Sequence, residues 1–225
     1  MNALLTRISL VFASAAIIAA CTSGPPSFQQ GPDAEVTFDG LVRVDNTSFK
    51  RVWADPEADL SGYTKILPQR AEIEFRDVKG TASSSSYNSS KSEFPIADND
   101  REKLVDTIGE VLGEEISQNQ RFAIATEPGP DTLIMAVSLL DIVSRVPPER
   151  SGRGNVFISR VGEITLVLEL KDSQSNETLL RAAERSAVEP AGRGGMVSSS
   201  VTSCSELRRL ARRWGTKIRN GLDSL

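Results

Sequence analysis

Acidic side chains are the residues in this sequence that are best suited to chemistry. Paired carboxylates can act as general acid and general base, and clustered carboxylate oxygens can hold a hard cation. Five acids are candidates for such a role: Asp39, Asp59, Asp131, Glu163 and Asp172. No loop has the spacing of a calcium site, and most of these acids fall at predicted turns, where Asp closes local hydrogen bonds. The sequence therefore favours structural roles for them and predicts neither a metal site nor a cofactor.

Histidine is absent from the sequence, and cysteine occurs only at Cys21 and Cys204. The absence of histidine excludes Ser-His and Cys-His nucleophile pairs and removes the commonest metal ligand. Cys204 lies near the start of a predicted helix, where the pKa of a thiol is often lowered. Free cysteine is nevertheless among the most buried residue types, so a buried, unreactive thiol is the preferred interpretation. We predict no catalytic residues, and a carboxylate- or thiol-dependent enzyme is the least favoured hypothesis.

The first 21 residues have the three-part pattern of an export signal. A short start with one cation, Arg7, is followed by an apolar run over residues 8–18 and by small residues before Cys21. The apolar run is too short to span a bilayer, which takes about 20 residues. We therefore predict that residues 1–20 are a signal peptide that is removed.

The segment Ile18-Ala19-Ala20-Cys21 resembles the bacterial lipobox. This resemblance implies cleavage before Cys21, a diacylglycerol group on its sulfur, and a fatty acid such as palmitate on its new amino group. Several acyl chains give a stable membrane anchor, whereas one alone is marginal. By analogy with enteric bacteria, Thr22 in place of an Asp favours the outer membrane. We expect a protein that is anchored in the bilayer through Cys21 and faces the periplasm.

The composition is that of a globular protein and not of a nucleic-acid binder. Removal of residues 1–20 from the 225-residue chain leaves 205 residues, which one domain with loops can accommodate. Hydrophobic residues make up 39% and charged residues 25%, so a core can form. Arg7 is the only charged residue removed, and its loss changes the formal charge from −4 to −5. Such mild acidity argues against a nucleic-acid partner.

Residues 21–34 and residues 35–225 differ sharply in composition. The first segment is rich in Gly, Pro, Ser and Gln and has almost nothing to bury, which is typical of a flexible tether. The second segment contains the periodic apolar patterns described below. We predict a lipidated cysteine with its tether over 21–34, followed by a single globular domain over 35–225.

Alternating apolar residues predict the strands of this domain. The strongest signal covers residues 156–170, which we expect at the centre of a sheet, and residues 178–188 are expected to return antiparallel to it. Further strands are expected over residues 65–67, 72–75 and 132–142, together with a hairpin over 38–44 and 49–53.

Apolar residues spaced by three and four predict two helices. The first extends over residues 98–119, with Asp98 and Asp100 as cap candidates and with Gly109 and Gly113 allowing another element to approach closely. The second extends over residues 205–222. The order of elements predicts an α+β fold, in which two main helices pack on one face of a mostly antiparallel sheet in a single layered domain.

The terminal helix carries the main candidate binding residues. Ser203 and Glu206 have the spacing of a capping box at its start. Its candidate cations for binding an anionic partner are Arg208, Arg209, Arg212, Arg213 and Lys217. Such a face could contact an acidic envelope protein or an anionic glycolipid, because cations near an anionic surface are attracted to it. The alternative, which we favour here, is a solvated face whose cations pair with acids of the first helix.

Two Gly-Arg-Gly segments, at residues 152–154 and 192–194, fall in predicted loops. If the flanking strands are neighbours, these loops could form a small cationic mouth with Arg145 and Arg150. Neither segment has the Gly-Lys-Ser/Thr ending of a phosphate-binding loop. Solvated loops are therefore the preferred interpretation.

Five segments together resemble a family of bacterial lipoproteins that is classified only as a domain of unknown function. The segments are residues 38–42, 58–63, 129–133 and 162–170 and the terminal basic helix with Trp214. The resemblance spans nearly the whole mature chain. It implies a location in the envelope and a shared fold, and it supplies no catalytic residues.

These observations favour a membrane-anchored, non-enzymatic binding or assembly module of the bacterial envelope. The alternative is an accessory subunit that docks onto an envelope transport complex. The two hypotheses differ in whether a specific protein partner depends on the cations of the terminal helix.

Overall fold

A nine-stranded mixed sheet organises the fold in the computed structural model, which describes residues 24–78, 93–146, 157–158, 160–189, 196–197 and 200–225. The strands are β1 Ser27–Phe28, β2 Val42–Asp45, β3 Arg51–Ala54, β4 Lys65–Pro68, β5 Glu72–Phe75, β6 Ala123–Ile124, β7 Thr132–Ser144, β8 Phe157–Ile158, β9 Gly162–Asp172, β10 Thr178–Val188 and β11 Met196–Val197. The helices of the described residues are α1 Asp98–Ile116 and α2 Ser200–Ser224.

The strands follow the order β1-β2-β3-β10-β9-β7-β4-β6, with β5 also paired to β7. Strands β8 and β11 form a separate two-stranded sheet. Both helices pack over one face of the large sheet and share its apolar core. The predicted α+β fold, a mostly antiparallel sheet with two helices packed on it, is confirmed.

Strand β9 lies near the centre of the large sheet, between β7 and β10, as its alternating pattern predicts. Its even-numbered apolar residues, Ile164, Leu166, Leu168 and Leu170, are buried toward the helices. The odd-numbered residues point to the opposite face, which we call the open face. The predicted strand over 156–170 is interrupted, because Phe157–Ile158 pairs with β11 and not with the large sheet.

The antiparallel pattern gives way to parallel pairing at one edge of the sheet. Strands β4 and β5 both run parallel to β7, and β6 runs parallel to β4. A parallel pair needs a long connection. Helix α1 lies in the chain between β5 and β7 and forms part of that connection. The short predicted strands at 65–67 and 72–75 are confirmed, and their parallel sense is new information.

The segment that precedes β2 lies along the opposite edge of the sheet. Ser27 and Phe28 pair with Asp45 and Val44, and the Gln29 amide donates to the Arg43 carbonyl at 2.8 Å. The described part of the predicted tether, from Gly24 onward, therefore lies beside β2.

The helix starts differ from the sequence prediction. Ala97 occupies the cap position of α1 without a side-chain hydrogen bond, so Asp98 and Asp100 lie in the first turn. There they suit the positive end of the helix dipole and do not act as caps. Helix α2 begins at Ser200, so Ser203 already has helical backbone and the predicted capping box is wrong. Neither helix has the length and apolar composition that crossing a membrane requires.

The two helices approach each other closely at Gly215. A Cβ atom added to Gly215 would lie 2.6 Å from Cβ of Glu115 in α1. Gly109 and Gly113 were expected to allow such an approach, but an added Cβ at either position would meet nothing within 4 Å. That expectation is wrong because both glycines lie on the exposed side of α1. Trp214, next to Gly215, is fully buried, and Trp53 is also buried.

Replacing Gly215 with Ala should destabilise the protein, although Ala normally favours a helix over Gly by about 1 kcal/mol. The new methyl group would force α1 and α2 apart, and overpacking of this kind costs about 1–3 kcal/mol. Gly113→Ala is the matched control, because its surroundings are open, and it should stabilise the protein. Urea unfolding measures both changes. Equal stabilisation by the two substitutions would contradict the close helix contact.

Candidate functional site

An apolar groove lies between the C-terminal half of α2 and the β2–β3–β10 part of the sheet. Its volume is about 440 Å³, within the range of about 300–1,000 Å³ for small-molecule pockets. Buried side chains form its walls, among them Val44, Val52, Leu168, Leu170, Ile218 and Leu222. Pro26 and Phe28 of the N-terminal segment line its exposed rim. No sequence pattern predicted this groove, because its walls belong to the same alternating residues that form the core.

Lys217 lines the groove, but its charge is already compensated. Its Nζ lies 2.5 Å from Oε2 of Glu184 and 5.5 Å from the centre of the Phe49 ring. Glu184 is 8% exposed and also accepts a hydrogen bond from the Ser186 hydroxyl at 3.1 Å. Separating a buried ion pair leaves an uncompensated charge, which is strongly destabilising. Lys217, predicted as a binding cation, therefore holds α2 on the sheet.

All five predicted cations of α2 line one shallow surface, which we call the cationic face: Arg208, Arg209, Arg212, Arg213 and Lys217. Arg208 forms an exposed ion pair with Glu110 at 3.0 Å, as expected for pairing with α1. Arg209 pairs with Glu206 at 2.5 Å and donates to the carbonyl of Glu189. These two cations are therefore partly committed to intramolecular contacts.

Arg212 and Arg213 are the most available members of the cationic face. The Arg212 side chain is 62% exposed, and its Nε lies 3.9 Å from Glu115, at the limit of an ion pair. Arg219, which was not a candidate, holds the same carboxylate more closely, at 3.0 Å. Arg213 is exposed and has no ion pair with any residue that the structure describes. Among the five predicted cations, these two are therefore the ones least engaged by acids of the described residues.

The open face carries a closed ring of alternating charges that the sequence did not predict. Its members, which we call the ionic ring, are Arg76, Asp141, Arg185, Glu163, Arg145 and Glu93. Each member contacts its two neighbours in that order, with Arg76 2.6 Å from Asp141 and Arg185 2.6 Å from Glu163. The ring connects β7, β9 and β10 with the segments after β5 and before α1. It fixes one end of the sheet.

Asp141 enters the ring from an irregularity in β7. The register of β7 against β9 shifts between Leu140 and Val143, and Asp141 has a φ of 55°, which is uncommon for a residue other than glycine. The bulge turns its carboxylate toward Arg76 and Arg185. A bulge commonly redirects a side chain in this way.

The ring arginines keep Asp141 and Glu163 ionised. Burial alone would raise the pKa of Glu163, but hydrogen bonds from Arg185, Arg145 and Arg160 outweigh it and lower the pKa to about 2. The hydrogen bond from Arg76 is the main cause that lowers the pKa of Asp141 to about 2. Neither carboxyl can therefore supply a proton near neutral pH.

The remaining candidate acids are held by local or cross-sheet partners. A hydrogen bond from Arg181 is the main cause that lowers the pKa of Asp39 to about 2. Asp59 accepts a hydrogen bond from its own turn, Asp131 from Thr64 and Lys65, and Asp172 from its own turn and from Tyr63. Within the described residues, no group of three acids or cysteines is close enough to hold a metal ion.

Cys204 is half-buried and forms no disulfide with a residue that the structure describes. The prediction of a buried thiol is wrong, because Cys204 precedes Leu207, the first residue of α2 whose side chain is described as buried. Cys21, Arg150 and both Gly-Arg-Gly segments lie outside the described residues. Arg145, which was expected to join them in a cationic mouth, belongs to the ionic ring.

Comparison with known sequences finds one family match. The family model described as "Protein of unknown function (DUF3313)" matches residues 34–218. No curated protein matches the sequence.

Comparison with solved structures finds matches of low identity and low structural similarity. The PelC dodecamer from Paraburkholderia phytofirmans has 9% identity and a TM-score of 0.34, covering 75% of this chain and 96% of that chain. A DUF330 protein from Xanthomonas campestris has 10% identity and a TM-score of 0.39, covering 76% and 93%. A homolog of neuraminyllactose-binding hemagglutinin from Helicobacter pylori has 10% identity and a TM-score of 0.37, covering 74% and 86%. At these scores the similarity carries no information on function.

The stability of the protein should fall as the pH drops below about 4.5. Glu163 has a pKa of about 2 in the folded protein and an ordinary value of 4.5. Its stabilisation is therefore present above pH 4.5 and is lost as the pH falls toward 2. Glu163→Gln should lower the free energy of unfolding at neutral pH and flatten its decline at acid pH.

Urea unfolding at a series of pH values measures this effect. The matched control is Glu72→Gln, because Glu72 is exposed and has no ion pair within the described residues. If both substitutions leave the same pH dependence, Glu163 does not contribute as the ring predicts.

Proposed function

The chain belongs to the family described as "Protein of unknown function (DUF3313)", and from this premise we propose that it is a lipid-anchored, non-enzymatic binding module of the bacterial envelope. The anchor is Cys21, acylated after removal of residues 1–20, and the membrane is the outer membrane with the domain in the periplasm. The observation that carries the proposal is the lipobox at 18–21, directly before a segment that borders an apolar groove.

The anchor and the domain lie close together in this proposal. Residues 21–26 separate the acylated cysteine from β1, and six residues span at most about 20 Å. Ser27 and Phe28 are already part of the sheet. The β1 edge and the groove rim are thus the parts of the described domain that the anchor holds nearest to the bilayer.

The distribution of charge supports a binding module over an enzyme. The carboxylates with the most strongly lowered pKa values are Asp39, Asp141 and Glu163, and each is paired with an arginine. Perturbed pKa values also arise in structural ion-pair networks, and here they occur on a sheet face that has no pocket among those described above. The groove, in turn, lacks an uncompensated lysine, because Lys217 is paired with Glu184.

Replacing Cys21 with Ala should abolish fatty-acid labelling and membrane anchoring. Cells that express the wild type or the variant are labelled with a fatty-acid analogue and separated into membrane and soluble fractions. We expect labelled wild-type protein in the outer membrane and unlabelled variant outside it. Cys204→Ala is the control and should keep both label and location. Unchanged labelling in Cys21→Ala would overturn the anchor.

A second candidate function is an accessory subunit that docks onto an envelope transport complex. The exposure of Arg212 and Arg213 favours it, since neither is firmly held by an acid of the described domain. Long-range attraction between such cations and an acidic surface speeds association and favours complementary partners. The partner would be an acidic envelope protein, and an anionic glycolipid is the alternative.

The double substitution R212E/R213E should weaken capture of that partner in cells. Each cation contributes about 1 kcal/mol near an anionic surface, so reversal of two should reduce crosslinking by roughly tenfold or more. R51E/R70E is the matched control, because it reverses two other exposed arginines and changes the net charge equally. In-cell crosslinking followed by mass spectrometry identifies the captured band. Equal capture by the two double variants would exclude docking through the cationic face.

A further inference from the structure

We propose that the apolar groove between α2 and the sheet holds one acyl chain of a membrane phospholipid. This inference rests on the proposed function in one respect, because the anchor at Cys21 brings the groove to the bilayer. It adds a ligand class and a binding site to that function.

The chemistry of the groove suits a hydrocarbon chain. Its walls are buried aliphatic residues from β2, β3, β9, β10 and α2, and Lys217 is neutralised by Glu184. Asp55 also lines the groove, and its carboxylate accepts a hydrogen bond from the Glu57 amide in its own turn. A charged group placed among the aliphatic walls would lose its hydration. An acyl chain needs neither hydrogen bonds nor charge, and it removes the apolar walls from water.

The rim of the groove differs from its interior. Ser48, Asn46 and Asn220 line it and are exposed. Their neutral polar side chains suit the ester and glycerol oxygens that adjoin an acyl chain, while the head group remains in water. The arrangement of a buried apolar interior and a polar rim therefore matches the two parts of a phospholipid.

The position of the groove relative to the anchor favours a lipid over a soluble ligand. Pro26 lines the groove and is five residues from Cys21, so the two are separated by at most about 18 Å. This is less than the thickness of the bilayer hydrocarbon core, about 30 Å. The rim is thus held within reach of the membrane surface, where phospholipid is by far the most concentrated apolar ligand.

A peptide is a poorer fit than an acyl chain. An extended peptide brings backbone donors and acceptors that need partners, which an unpaired strand edge usually supplies. Strands β2, β3, β9 and β10 form the walls of the groove, and each is paired on both sides, so their backbone groups are occupied. Edge strand β1, at the rim, pairs only with β2 and offers a peptide an edge of just two residues.

Gly221 offers a way to block the groove without weakening the fold. It lines the groove within α2, and a Cβ added to it would meet nothing within 4 Å. Gly221→Leu should therefore place an isobutyl group in the groove and improve helix propensity. Gly113→Leu is the matched control, because Gly113 is also a helical glycine with open surroundings and lies away from the groove.

The test uses full-length lipidated protein reconstituted in vesicles that contain a phospholipid with a photoreactive group on its acyl chain. After illumination, mass spectrometry locates the labelled peptides, and flotation of the same samples reports anchoring. We expect label on the groove segments, a reduction of roughly tenfold or more in Gly221→Leu, and unchanged label in Gly113→Leu. Thermal unfolding should show that neither variant is less stable than the wild type.

The outcomes separate the inference from the proposed function. Protein that floats with the vesicles but carries no groove label overturns the inference and leaves the anchor intact. A Cys21→Ala variant that floats as well as the wild type overturns the anchor, and groove label in both proteins would still support the inference. Groove label in Cys21→Ala but not in the wild type would mean that the protein's own acyl chain occupies the groove, and that result overturns the phospholipid assignment. Equal labelling of both glycine variants also overturns it.

Discussion

The ion pair between Lys217 and Glu184 determines how α2 lies on the sheet, and the groove depends on it. Glu184 points from β10 toward the helices, where Ala182 and the paired Leu166 are apolar neighbours and the Ser186 hydroxyl donates to it. Glu184 is buried and the Lys217 side chain is 32% exposed, so the pair contributes little net stability compared with an apolar replacement, but it penalises arrangements that leave Glu184 unpaired. It therefore favours one rotation of α2 about its axis. Ile218 and Leu222 are directed into the groove as a result.

The two faces of the large sheet differ in how their side chains are shielded from water. The helix face buries aliphatic side chains under α1 and α2, whereas the open face carries the ionic ring and the pairing of Arg181 with Asp39 and Glu169. Since exposed single ion pairs contribute little, the ring owes its effect to being closed and partly buried. It covers one end of the open face with compensated charge.

Features that depend on neighbouring residues could be predicted from the sequence, whereas contacts between residues far apart in the chain could not. The alternation in β9 and the apolar spacing in α1 predicted an element type, a buried face and a place in the fold, because each depends on a short period. Parallel pairing of β4 with β7 was not predictable, because it depends on how the chain connects them. The ionic ring joins Arg76 to Asp141, 65 residues away, through a bulge that leaves no sequence signature. The groove is a gap between elements, and its residues resemble any core residues. Of the candidate cations, only geometry could separate Lys217 from Arg213.

The short pairing of β1 with β2 determines how the N-terminal segment would respond to a pulling force. It pairs with β2 through two residues, and the Gln29 amide adds one bond to the Arg43 carbonyl at 2.8 Å. The next backbone contact with β2 is at Glu35, whose carbonyl accepts the Arg43 amide at 2.9 Å. In the proposed anchored state, a pull on the lipid would load these short contacts first and separate β1 from β2, leaving the long central strands intact. The free part of the tether would then grow from residues 21–26 to residues 21–34. Its fully extended length would increase from about 20 Å to about 45 Å. The proposed anchor would thus allow two maximum distances between the membrane and the domain, a short one with β1 paired to β2 and a long one with β1 unpaired.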